Sequence, residues 1–138
     1  MTLKGLIVRQ PWIGKILAGS KTWEMRSTGW KHRGPIALIE KGSGLVVGVA
    51  RMVDDRAPLT LTEMLKTIHL HGIPADDIPG VVRDGWVRPW VLTDVRRLNR
   101  PVPYLHPSGA VKTVNLDETV SRQVLVQVPS WPRSNLAA

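Results

Sequence analysis

The sequence predicts an α+β fold, a mixed β-barrel of five to seven short strands with two or three flanking helices. Short runs of aliphatic and β-branched residues recur along the chain and are bounded by turn residues. The prolines and glycines are spread widely rather than gathered into linkers, which suits many short elements joined by turns. Strands do not alternate regularly with long amphipathic helices, which argues against a doubly wound parallel sheet.

Residues 4–9 read as a first strand, with Leu6 and Val8 facing one side and Ile7 the other. Gln10-Pro11 then opens a short helix, because proline suits a first helical position whose N–H has no partner. Ile13, Ile16 and Leu17 follow at helical spacing, and Gly19 is the expected C-terminal cap. Residues 22–26 read as a strand with Trp23 and Met25 on one face and Thr22, Glu24 and Arg26 on the other. Residues 35–40 and 45–53 form two β-rich runs joined by the turn Lys41-Gly42-Ser43-Gly44.

Residues 60–70 predict the clearest helix. Thr60 and Glu63 have capping-box spacing, and Leu61, Met64, Leu65 and Ile68 make an apolar stripe. Residues 73–85 read as loop. Residues 86–92 and 110–116 read as strands, with Pro101, Pro103 and Pro107 excluding regular structure between them. A short helix at 117–123 and a closing strand at 125–128 complete one domain over residues 1–129, with residues 130–138 expected to be a flexible tail.

The chain has no cysteine, which excludes disulfides, thiolate nucleophiles and cysteine-bound zinc. No apolar run approaches the roughly 20 residues of a membrane span and no signal peptide is evident, so a cytoplasmic location without membrane partners is expected. The net charge is +8, with a pI near 10.6. That excess is uneven: residues 1–33 carry seven lysines and arginines against the single acid Glu24. Charge kept for solubility alone has no reason to cluster, so an anionic partner, nucleic acid first, is expected.

Metal chemistry has little footing. His69 and His71 are two apart, and His32 and His106 are isolated, so no histidine pair has ligand spacing. No cofactor is predicted; Asp54-Asp55 and Asp76-Asp77 offer at most loosely bound Mg²⁺ and are better read as solvated turn residues.

The informative segment is Gly19-Ser20-Lys21-Thr22-Trp23-Glu24-Met25-Arg26. Lysine, glutamate and arginine fall within six residues where a glycine turn meets a strand. One reading is a surface ion pair worth about 0–1 kcal/mol. The other is a site in which Glu24 accepts from an exocyclic amine or acts as a base, while Lys21 and Arg26 hold a phosphate or a carbonyl oxygen. Trp12, Trp23 and Trp30 lie close by in sequence. Each is a core candidate singly, but Trp12 and Trp30 stand beside Arg9, Lys31 and Arg33, where base stacking needs an aromatic face.

Arg9-Gln10-Pro11-Trp12 followed by that segment resembles the ASCH domain of the PUA-like superfamily. The family pattern is Gly-x-Lys-x-x-Glu-x-Arg, matched here by Gly19, Lys21, Glu24 and Arg26. Trp30-Lys31-His32-Arg33-Gly34 and residues 35–40 continue the likeness, which is strong over residues 3–53 and weaker beyond. His106-Pro107-Ser108-Gly109-Ala110-Val111 resembles a later segment of similar bacterial proteins.

The resemblance implies a PUA-like β-barrel whose cleft is lined by the Lys-Glu-Arg segment, and association with RNA. It also implies hydrolysis as an alternative, since ribonuclease activity occurs in the family and one branch removes the acyl group of N4-acetylcytidine. That branch uses the motif lysine, a threonine at the position of Glu24, and a further glutamate, for which Glu40 and Glu63 are the available candidates here.

The leading expectation is therefore a module binding RNA or a modified nucleoside. Arg9, Gln10, Trp12, Lys21, Arg26, Trp30, Lys31 and Arg33 are its expected binding residues. The alternative is a ribonuclease or N4-acylcytidine amidohydrolase using Lys21, Glu24 and Arg26, with Thr22 and Ser108 as weaker candidates and Ser20 as a further local hydroxyl. A protein-interaction or transcriptional accessory domain is the third reading.

Overall fold

A computed structural model describes residues 1–133. Six strands form one curled sheet: β1 (Lys4–Val8), β2 (Trp23–Arg26), β3 (Gly34–Glu40), β4 (Leu45–Asp55), β5 (Arg88–Pro103) and β6 (Thr113–Asn115). Their order is β2-β5-β4-β3-β1-β6. In this sheet β1 and β3 run parallel and every other pair is antiparallel. Among the described residues there are five α-helices: α1 (Trp12–Ala18), α2 (Leu61–Lys66), α3 (Ile68–His71), α4 (Ile78–Arg83) and α5 (Glu118–Leu125). The α+β class and strand count are as expected. Among the described residues no helix is long and apolar enough to cross a membrane.

Strand alternation sorts the core. Leu6 and Val8 pack with Ile36, Leu38, Ala50 and Met52 beneath Ile13 and Ile16 of α1. Ile7 turns to the other face and joins Ala37, Ile39, Val49 and Val124 of α5. A third cluster joins Trp23 and Met25 to Met64, Ile73 and Ile78. The registers of β3–β4 and β4–β5 shift at several points, and such bulges add the twist that curls a sheet.

Gly48 marks a close approach between elements. A Cβ there would stand 2.6 Å from Leu17 Cδ2 and 2.8 Å from the carbonyl oxygen of Arg96. The backbone oxygen cannot swing aside as a side chain can. Gly48→Ala should therefore lower stability by about 1–3 kcal/mol, read as a lower urea midpoint at unchanged slope.

Several elements depart from expectation. Pro11 sits one residue before the first helical position, after a cis Gln10-Pro11 bond, while Gly19 caps α1 at φ 85° as predicted. The Thr60–Glu63 capping box forms with both bonds, but the expected helix at 60–70 divides at Thr67 into α2 and α3. Of its stripe, Met64 is buried and Leu61 and Leu65 are exposed. Residues 73–85 are not loop: a 3-10 turn at Ala75–Asp77 leads into α4, which has proline in its first turn. These changes raise the helix count above two or three.

Pro101 and Pro103 lie inside β5 rather than excluding it. The short β2 covers only Arg88–Val91, so the later part of β5 is an edge where a missing N–H breaks no ladder bond. The strand expected at 110–116 shortens to β6, and 125–128 close α5 in turns instead of forming a strand. Trp131, assigned to the tail from sequence, is buried with the α5 cluster and donates its indole N–H to the Asp94 carbonyl. Residues 134–138 of that tail lie outside the described residues.

Candidate nucleic-acid interface

The strand β2 is buried along its whole length, and this rejects the surface ion-pair reading of its charged residues. Lys21, Glu24 and Arg26 are 1 %, 6 % and 7 % exposed. Arg26 reaches Glu24 Oε2 from Nε at 3.0 Å and from Nη2 at 2.8 Å, and Nη2 also donates to the Ile7 carbonyl at 2.7 Å. Its guanidinium lies over Trp90, 5.3 Å from the ring centroid. Lys21 Nζ stands 3.6 Å from Glu24 Oε1 and donates to the His71 carbonyl at 2.7 Å.

Each partner comes from a separate element. The tight end of α1 brings Lys21 under it, with the Lys21 amide bonded to the Lys15 carbonyl. The α3 turn is braced by buried His71, whose Nδ1 accepts from the Ile73 amide, leaving Nε2 to donate to the Met64 carbonyl. Burial lowers the His71 pKa, in keeping with this neutral imidazole. Burial likewise lowers the Lys21 pKa from 10.5 to about 8, against the opposing pull of Glu24.

This cluster floors a cleft of about 230 Å³. Trp12 forms part of its wall, with the ammonium groups of Lys15 and Lys21 5.0 and 5.1 Å from its ring centroid. Val81, Asp84 and the exposed Trp86 also line it, brought there by α4 and the turn after it. Arg9 and Lys41 add cations to the lining.

Of the residues expected from sequence, Arg9, Trp12, Lys21, Glu24 and Arg26 meet in the cleft; the others do not line it. Gln10 is bonded to Glu40 at 2.6 Å and braces the start of α1 through the Gly14 amide. Trp30 packs against Trp90 and His32, ring centroids 5.2 Å apart in both cases. Lys31 is exposed. Arg33 is paired with Asp55 and donates to the carbonyls of Trp30 and His32, so it is not a spare cation.

Asp54 and Asp55 correspondingly lie in a strand rather than a turn; Asp54 is solvated as expected, whereas Asp55 is largely covered. They end β4 and are engaged by Arg33, Arg56 and Arg88, and the Arg33 bond is the main cause of a lowered Asp55 pKa. Among the described residues no group of three acids or histidines is placed to hold a metal ion.

The hydroxyls considered as nucleophiles also fall outside the lining. Thr22 and Ser108 are exposed, and Ser20 Oγ points to the Lys15 carbonyl. Glu40 and Glu63 are held by Gln10 and by the capping box. Asp84, not a glutamate, is the second carboxylate of the cleft.

The family model of the ASCH domain matches residues 6–102. The chain belongs to the ASCH domain family. Its fold is similar to the crystal structure of ASCH from Zymomonas mobilis, with a TM-score of 0.68 at 14 % identity, covering 91 % of this chain and 94 % of that one. Crystal structures of two single-residue mutants of that Zymomonas mobilis protein give TM-scores of 0.65 and 0.64 at 14 % and 13 % identity. They cover 93 % and 89 % of this chain, and 99 % and 94 % of their own. A comparison with curated proteins finds no match. The ASCH segment thus contains the motif cations, the motif glutamate and nearly all of the two long strands, β4 and β5.

Proposed function

We propose that this ASCH domain binds RNA or a modified nucleoside, with a base received in the cleft above Lys21, Glu24 and Arg26. One observation carries the reading: a buried, mutually bonded ionic cluster forms the floor of a cavity with tryptophans on its walls. A buried ion pair is weak evidence for stability, because desolvation offsets its attraction. A lysine whose pKa burial lowers strongly, set in a cleft, favours a ligand role instead.

The roles divide by depth. Arg26 fixes Glu24 through Oε2, leaving Oε1 toward Lys21. A carboxylate so held is an acceptor for the amino edge of a base. Lys21 has three N–H donors; His71 takes one and Glu24 another, leaving one for a ligand carbonyl. Arg9 and Lys41, both exposed, suit phosphate better than the buried pair does. Trp12 and Trp86 offer ring faces for stacking.

Hydrolysis is the second reading, favoured by the lowered Lys21 pKa. With no lining hydroxyl, the attacking group would be Lys21 as the free amine or a water activated by Glu24.

The deciding experiment pairs wild type with Lys21→Ala, each incubated with single-stranded RNA and separately with N4-acetylcytidine. Binding and product are both followed. Binding should fall with salt by about 0.7 in log K per log unit for each phosphate contacted, and weaken at least tenfold in the variant. Product that disappears in the variant would establish the hydrolase. Absence of both binding and product would leave the interaction domain.

A further inference from the structure

The cleft continues into a groove that its base-binding role does not use. Ile7, Lys41 and Val111 line both spaces. Beyond them the groove opens to about 390 Å³ against Tyr104, His106 and Ala110. Its floor is the β3–β4 turn, where Gly42 and Gly44 adopt φ 81° and 69° and present no side chain.

The groove has one built feature. Tyr104 and His106 are 2.8 Å apart from Oη to Nδ1, and His106 Nε2 lies 2.8 Å from the Ala110 carbonyl. A carbonyl only accepts, so Nε2 donates to it, while Nδ1 is hydrogen-bonded to the phenol oxygen. Both ring nitrogens are therefore engaged, and the ring orientation is fixed. Tyr104 is half-buried against the core while His106 is exposed. Val111, 65 % exposed, adds apolar surface.

Charge lies at the junction. Lys41 is exposed, and among the described residues it makes no ion pair. The adjacent Glu40 is occupied by Gln10. A free cation between two cavities, one walled by tryptophan and the other by a fixed imidazole–phenol pair, has the alternation of phosphate and base that a strand requires.

We propose that this groove is the subsite for a second nucleotide of a single-stranded RNA. Lys41 meets the phosphodiester between the two nucleotides, and His106 with Val111 takes the neighbouring base. The inference rests on the cleft receiving the first base, and it makes the preferred ligand a strand rather than a free nucleoside.

The test uses three variants and two kinds of probe. The probes are the four free ribonucleosides, titrated by NMR, and the four homopolymeric RNA octamers, titrated by fluorescence anisotropy over a range of salt. Wild type should bind its preferred octamer at least tenfold more tightly than the matching nucleoside. His106→Ala should weaken the octamer about tenfold, within the range of a lost stacking contact, and leave the nucleoside unchanged. Lys41→Ala should reduce the octamer's salt slope by about 0.7.

An octamer no tighter than its nucleoside, or one indifferent to both variants, overturns the groove and leaves the cleft standing. Equal weakening of nucleoside and octamer by His106→Ala also overturns a separate subsite. Failure of both probes to bind, or nucleoside binding indifferent to Lys21→Ala, overturns the cleft reading and the groove with it.

Discussion

Glu24→Gln should destabilise the protein by about 3–5 kcal/mol, the range for removing one partner of a buried ion pair. The substitution keeps volume and hydrogen-bonding atoms but leaves Lys21 and Arg26 facing a neutral amide at 1 % and 7 % exposure. The two cations respond differently. Lysine escapes by losing its proton, and its pKa already stands at about 8. Arginine does not deprotonate in proteins, so the remaining penalty falls on Arg26. Its bond to the Ile7 carbonyl and its contact with Trp90 survive, but neither supplies a countercharge. Urea denaturation should show the loss as a lower midpoint, and heating as a Tm reduced by about ten degrees or more. Glu24→Leu combined with Arg26→Met should recover much of the stability, because the penalty belongs to the orphaned charge rather than to the missing bond. A Glu24→Gln protein as stable as wild type would show that water reaches Arg26 freely and that the cluster is not sealed.

The motif was legible because it is local. Gly19, Lys21, Glu24 and Arg26 lie within eight residues, and an αL glycine followed by a strand is a short-range instruction. The capping box at Thr60 and the alternation of Leu6, Ile7 and Val8 were readable for the same reason. The α4 side of the cleft was not. Residues 78–83 contain proline and glycine and have a poor helical pattern, so α4 forms through the packing of Ile78, Val81 and Val82 on the Trp23–Met64 cluster. With α4 read as loop, Asp84 and Trp86 had no reason to be placed in the same cleft as Trp12.

Arg33 and Trp30 misled in the reverse direction. Proximity in sequence put them with the cation cluster, but the chain turns after β2 and delivers them to Asp55 and Trp90. Pro101 and Pro103 carried a correct local rule into a setting that suspends it, the free edge of β5. What the sequence could not display was which edges are free and which charges are already answered, since both depend on contacts between distant elements.

Lys21→Met should abolish cleft binding while leaving the fold as stable as wild type at neutral pH, or more so. Methionine fills the space of the lysine stem, and Glu24 keeps Arg26 as its countercharge. The sign follows from the lysine's pKa, which burial lowers from 10.5 to about 8. The folded protein releases this proton where the unfolded chain still holds it. Below about pH 8 the full penalty of burying the ammonium is present, and it is relieved as pH rises from about 8 toward 10.5. At about 1.4 kcal/mol per pH unit, the relief amounts to at most about 3–4 kcal/mol. The difference in stability between wild type and Lys21→Met should therefore shift toward wild type across that interval. The same titration separates the two functional readings. Binding through the ammonium should weaken as pH rises through about 8, whereas attack by the neutral amine should accelerate through the same point. A binding profile unchanged across that point, lost neither with pH nor in Lys21→Met, would remove Lys21 from the ligand site altogether.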